Sequence, residues 1–102
     1  MILNSTTDNL QVVLSGSVAT RQLHFVSSYN ILTSTGVTPS KSVGTTNNIT
    51  PANLIPAPSS NQQHQLRFCS IYNVDTTAST VTVQFNDNGT SRVLYSAPLT
   101  SG

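Results

Sequence analysis

Charge is the scarcest commodity in this chain. Only 7% of its 102 residues are Asp, Glu, Lys or Arg, against about 25% in an average domain. Glutamate is missing altogether, and the acids are Asp8, Asp75 and Asp87. The four cations, Arg21, Lys41, Arg67 and Arg92, stand isolated along the sequence. A nucleic-acid partner needs several phosphate contacts from Lys and Arg, so none is expected. No apolar run approaches the roughly 20 residues of a spanning helix. Basic amphipathic helices and lipidation motifs are also missing, so no membrane partner is expected either. The single cysteine, Cys69, excludes an internal disulfide and suits a reducing compartment. Met1-Ile2-Leu3 leads into Asn4-Ser5-Thr6-Thr7-Asp8 without the basic and apolar regions of a signal peptide, so folding in the cytoplasm is expected.

What replaces charge is neutral polarity. Ser, Thr, Asn and Gln together make up 46 residues, and the formal net charge is +1. Thr favours strands, Ser and Asn favour turns and caps, and none of the four strongly favours helix. A surface of this kind is wet but has little long-range repulsion to keep copies apart. The length suits one domain, residues 1–102, with a modest core.

Apolar residues recur with a period of two rather than 3.6. Leu10-Gln11-Val12-Val13-Leu14 reads as a strand with Leu10, Val12 and Leu14 on one face. Gln22 to Tyr29 follows, with Leu23 and Phe25 on one side, and Asn30–Thr33 continues it past a bulge. Between Ser34 and Pro58 the pattern weakens, and loops with short strands near Thr45–Thr50 and Ala52–Ile55 are expected. The prolines put any strand there at a sheet edge. Ser59–His64 reads as a polar loop. Gln65–Asn73 alternates with Leu66, Phe68 and Tyr72 in phase, and Asp75–Ser79 is a turn. Thr80–Phe85 points Val81, Val83 and Phe85 inward. Asn88-Gly89 is a type I′ hairpin signal, and Ser91–Tyr95 is the return strand. That hairpin sets Phe85 opposite Arg92, its head in water at the rim, and Val83 opposite Leu94. Ala97–Gly102 reads as a turn with no strand after it. The sum is an all-β fold, an antiparallel β-sandwich or small barrel with essentially no helix.

Equipment for catalysis is lacking. The three aspartates sit beside Thr or Asn in turn-like contexts, where a short acceptor caps backbone N–H groups. His24 reads as a half-buried strand histidine, His64 as a solvated loop histidine and Cys69 as an inert core thiol. No two of these lie at the spacing of a structural zinc site, so no catalytic, metal or cofactor residue is assigned. Ser15-Gly16-Ser17 is not a nucleophile elbow. The sequons at Asn4, Asn48 and Asn88 are what chance gives in so Asn/Ser/Thr-rich a chain. The phenylalanines read as core, and the tyrosines as core-edge residues or sugar-stacking platforms.

Thr6-Thr7-Asp8-Asn9-Leu10-Gln11-Val12-Val13-Leu14-Ser15-Gly16-Ser17-Val18 resembles the opening of a group of small tailed-bacteriophage virion proteins. Pro56-Ala57-Pro58-Ser59-Ser60 and the stretch from Ile71 to Val83 running into Asn86-Asp87-Asn88-Gly89-Thr90 are similar to the same group. The order and spacing of these segments, over about half the chain, carry the resemblance. It implies a non-enzymatic structural protein of the virion, assembled after folding in the host cytoplasm. A capsid decoration (cement) protein is the expected form, a homo-oligomer such as a trimer bound to the major capsid or tail proteins. The alternatives are a tail or fibre component touching a host glycan and, from another class, a small hydrolase or lyase with His24 or His64 as base. The group's proteins continue with a further short strand where this chain has Gly102. On that resemblance the strand is dispensable, a neighbouring subunit supplies it, or the chain is longer.

Overall fold

The computed structural model describes residues 1–102. Eight strands form it, with no helix: β1 (Ile2–Leu3), β2 (Asp8–Leu14), β3 (His24–Thr33), β4 (Gly36–Thr45), β5 (Ala52–Ile55), β6 (Gln63–Tyr72), β7 (Ser79–Asp87) and β8 (Thr90–Leu99). They make two antiparallel four-stranded sheets, ordered β1-β6-β3-β4 and β5-β2-β7-β8. The sheets pack face to face as a β-sandwich; neither closes into a barrel.

The core lies between them. Leu10, Val12 and Leu14 from β2, Phe25 and Tyr29 from β3, Leu54 and Ile55 from β5, and Val81 from β7 are all buried, with Leu3 and Leu23. The alternation in β2 and β7 thus selects the buried face as the sequence pattern indicates, and Val83 and Phe85 pack against this cluster. Ser27, on the same inward face of β3, donates its hydroxyl to the carbonyl of Leu54 across the sandwich. No buried side-chain polar atom is left without a partner.

Three expectations need correction. The weak region holds a ten-residue strand, β4, where loops were expected. The short strand expected at Thr45–Thr50 reduces to the last residue of β4 and a bridge between Asn47 and Thr50. Pro39 is accommodated because β4 is an edge. His64 belongs to β6 rather than to a loop. Finally β8 runs on through Pro98 to Leu99, where a terminal turn was expected.

Two β-bulges account for the differences in facing on β6 and β8. On β6, Leu66 faces Tyr29 and Phe68 faces Ser28, so Arg67 is the extra residue. One inserted residue reverses the facing of everything after it. Leu66, Cys69 and Ile71 therefore pack on the core, while Phe68 and Tyr72 point out and are 56% and 57% exposed. Phe68 is not core. On β8 the extra residue is Leu94: Gln84 faces Val93 and Val83 faces Tyr95, not Leu94.

The β7–β8 hairpin turns as the sequence indicates, with Asn88 at φ 50° and Gly89 at φ 92°. Phe85 faces Arg92, which is exposed and lies 3.8 Å from Asp87. Gly89→Val forces a β-branched residue into this conformation and is expected to cost about 1–3 kcal/mol in chemical denaturation. Gly16→Ala, with open space around it, should shift stability by less than about 0.5 kcal/mol.

Candidate functional site

The most densely bonded side chain in the protein is Asp75, in the β6–β7 connection and 2% exposed. Its carboxylate accepts from the N–H of Ala19 at 2.8 Å, the N–H and Oγ1 of Thr20 at 2.9 and 2.8 Å, the N–H of Arg21 at 3.2 Å and Oγ1 of Thr77 at 3.3 Å. The Ala19 N–H is the largest influence holding this carboxyl well below the usual carboxylate range. Burial works against it, and the Thr20 and Thr76 groups reinforce it. Asn73 caps the same loop, its amide donating to the carbonyls of Thr77 and Leu99. An acceptor saturated by donors in this way is a clasp between loops, with no lone pair aimed at solvent for proton transfer.

The other titratable groups lie apart. Asp8 opens β2 and accepts from the N–H groups of Asn4 and Ser5. It stands opposite Asp87 in the β2–β7 ladder, the one place where two acids come together. His24 is exposed, not half-buried, and faces Tyr72 across the ladder. His64 is buried, not solvated; its Nδ1 lies 2.8 Å from the carbonyl of Pro56, and its ring packs on Tyr29 with centroids 4.8 Å apart. His64 stands opposite Ile31, seven residues along β3 from His24, which separates the histidine rows by about 23 Å. Cys69 faces the interior, and burial pushes its thiol up. No three His, Cys, Asp or Glu side chains gather in a metal-binding group.

Asn48 shows why its sequon carries no glycan signal. Its Oδ1 accepts from the N–H of Val18 at 3.0 Å and from Gln22 Nε2 at 2.7 Å. Gln22 Oε1 in turn accepts from Thr46 Oγ1 and the N–H of Asn48. The side chain is a structural tie between the β2–β3 loop and the β4–β5 loop.

What the chemistry-bearing residues do not form, the apolar ones do. Between β6 and β8 the sandwich is open, and a groove of about 350 Å³ enters it. Every residue lining the groove is apolar, among them Leu66, Cys69 and Ile71 of β6, Val83 of β7 and Leu94 and Tyr95 of β8. The mouth stays open because β1 pairs with β6 only at Gln65 and His64. Beyond Leu66, whose N–H donates to the carbonyl of Met1, the outer edge of β6 has no neighbouring strand. β8 is the unpaired edge of the other sheet, with Val93, Leu94 and Tyr95 at 64%, 48% and 59% exposure. Sequence pattern alone misses this surface, because the two bulges that shape it leave no trace in the alternation. No family model, curated protein or solved structure matches this chain.

The Asp75 clasp sets an acid limit. A carboxyl held below its unfolded value of about 3.9 contributes stability that is complete above that pH and is lost as pH falls through the folded value. Wild-type stability should therefore fall steeply below about pH 4. Asp75→Asn, which sets amide hydrogens against the N–H groups of Ala19 and Thr20, should be clearly less stable at pH 7. Its deficit should shrink toward pH 2, read by urea unfolding across the pH series.

Proposed function

We propose that this chain is a non-enzymatic structural component of a bacteriophage particle, a capsid decoration protein that works by packing against copies of itself and against the shell. The observation that carries the reading is the open, wholly apolar groove between β6 and β8, bordered on both sides by unpaired strand edges. Apolar surface concentrated between free edges is the form taken by sites where another chain adds a strand. The surrounding surface supports the same reading, because a net charge of +1 offers little repulsion to a neighbour. The order of the Thr6–Val18, Pro56–Ser60 and Ile71–Val83 segments, similar to small tailed-phage virion proteins, directs the assembly role to the virion.

A tail position uses the same surface chemistry. Glycan contact has less support. Phe68 and Tyr72 are exposed on the outer face of their sheet, but their rows there hold His24, Ser28, Ser70 and Val26. Aromatic stacking is available in that set, but no carboxylate stands in these rows, and the neighbouring amides on the same face, Asn30 and Gln65, hold each other.

Purified chain mixed with heads and, separately, tails of its phage should co-sediment with the heads and appear at symmetric positions on the shell by electron cryomicroscopy. Heads left bare would overturn the decoration reading, and binding to tails alone would replace it with the tail alternative.

A further inference from the structure

The unpaired edge of β6 reads Phe68-Cys69-Ser70-Ile71-Tyr72. In chemical terms the run is aromatic, apolar, serine, apolar, aromatic, the same in both directions about Ser70. We propose that two copies of this chain pair β6 against β6, antiparallel, about a two-fold axis through Ser70, so that their apolar grooves close on one another. The inference rests on the assembly reading above and supplies the partner and the contact.

Backbone direction agrees with this centre. At the far end the edge is closed by Gly102, whose N–H donates to the carbonyl of Asn73 and which lies against the Tyr72 ring. Just before β3, Leu23 turns to the β4 side, its carbonyl accepting from the N–H of Thr46. His24, Val26 and Ser28 therefore turn to β6, and their partners Tyr72, Ser70 and Phe68 turn to β3. Alternation along the strand then turns the N–H and C=O of Ile71 and Cys69 to the same free side. Pairing about Ser70 sets Cys69 opposite the second copy's Ile71, and the reverse. The residues whose hydrogen-bonding groups are free thus meet each other, and four ladder bonds form.

The side chains agree as well. Cys69 and Ile71 line the groove, while Phe68 and Tyr72 lie on the outer face. Residues directly opposite in an antiparallel pair share a face. Inside, Cys69 therefore meets isoleucine; outside, Phe68 meets tyrosine, an aromatic cross-strand pair; on the axis, serine meets serine. Moving the axis to Cys69 would set Phe68 against serine and lose both matches. An axis between residues would join inward to outward side chains and is excluded by the pleat.

A two-fold contact brings residues at the axis close to their own copies, so any charge there would oppose itself. None of the five residues is charged. A different protein would have no need of a palindrome; a second copy does. The same axis carries the exposed β8 edge toward its counterpart, where Leu94 and Tyr95 cover the other half of the groove.

The test uses the full chain. By analytical ultracentrifugation at about 100 μM, wild type should sediment as a dimer, at twice the 10.8 kDa chain mass. Ser70 is exposed in the single chain, so substitutions there are tolerated by the fold, which circular dichroism checks. Ser70→Lys sets two ammonium groups against each other and should raise the dissociation constant at least about tenfold; Ser70→Thr should not. On a Cys69→Ser background, Ser70→Cys should form an intermolecular disulfide on mild oxidation, because opposite Cα atoms of a non-hydrogen-bonded pair lie about 4.5 Å apart, within disulfide reach. Val43→Cys on β4, also an exposed position, in the same background, should not. A monomeric wild type, or a dimer indifferent to Ser70→Lys that fails to cross-link at position 70, would overturn the pairing. A monomer that still coats heads would sink this contact and leave the assembly role standing. A Ser70-centred dimer that leaves heads bare would do the reverse.

Discussion

One extra residue in β6 governs the shape of this molecule's surface. Arg67 bulges between Leu66 and Phe68, opposite the Ser28–Tyr29 step of β3. Before it, His64 and Leu66 turn toward the core. After it the facing reverses, and two aromatic rings that would have filled the interior point outward. The smaller Cys69 and Ile71 take the inward positions. The interior between β6 and β8 is left underfilled by the exchange, and the outer face of β6 is left apolar. A bulge is a common way to re-aim side chains at a sheet margin. Here it produces both the groove and the edge beside it.

Neutral polar ladders let the rest of the surface do without charge. On the outer face of the second sheet, Asn53, Asn9 and Asn86 join side chain to side chain across β5, β2 and β7. Gln11, Gln84 and Ser91 form a parallel row across β2, β7 and β8. Thr82 and Ser96 extend the theme. Such cross-strand pairs stabilise a sheet in place of ion pairs. The one ion pair, Arg92 with Asp87, is largely exposed and contributes little. An edge usually protects itself with lysines and inward-pointing charges. β4 carries Lys41 and Pro39 in that role, whereas β8 carries only Arg92 and Pro98, at its two ends, and the free part of β6 beyond Arg67 carries neither. The molecule is defended on one flank and open on the other.

The legibility of the fold in its sequence follows the same division. β2 and β7 were readable because each turns one apolar face to the core, and the start of β8 because Asn88-Gly89 has the residues its backbone angles require. Phe85 opposite Arg92 followed from that turn alone. β4 was not readable. Its inward and outward positions are mostly Ser, Thr, Gly and Val, so alternation carries no contrast, and Pro39 argues against a strand unless the edge is known. The burial of His64 was not readable because it depends on the Tyr29 ring and the Pro56 carbonyl, neither of which the local pattern around His64 contains. The groove escaped notice for a related reason: each bulge is defined by the partner strand's register, which a single strand does not encode.

The groove is also prevented from closing on itself. Sheets with a thinly filled margin can pinch together and exclude water. Here the ends of β6 and β8 are bolted to one loop. Asn73, just past β6, donates to the carbonyl of Leu99 at 3.0 Å, and Ser101, just past β8, donates to the carbonyl of Asp75 at 2.7 Å. Asp75 holds that loop rigid through its five donors from Ala19, Thr20, Arg21 and Thr77. The separation of the two edges at this end is therefore fixed by saturated hydrogen bonds whose rupture would strand buried polar groups. A margin that is apolar, underfilled and held apart has one way left to remove its surface from water. The filling has to come from outside the chain, and the same clasp that stabilises the single copy keeps it receptive to a neighbour.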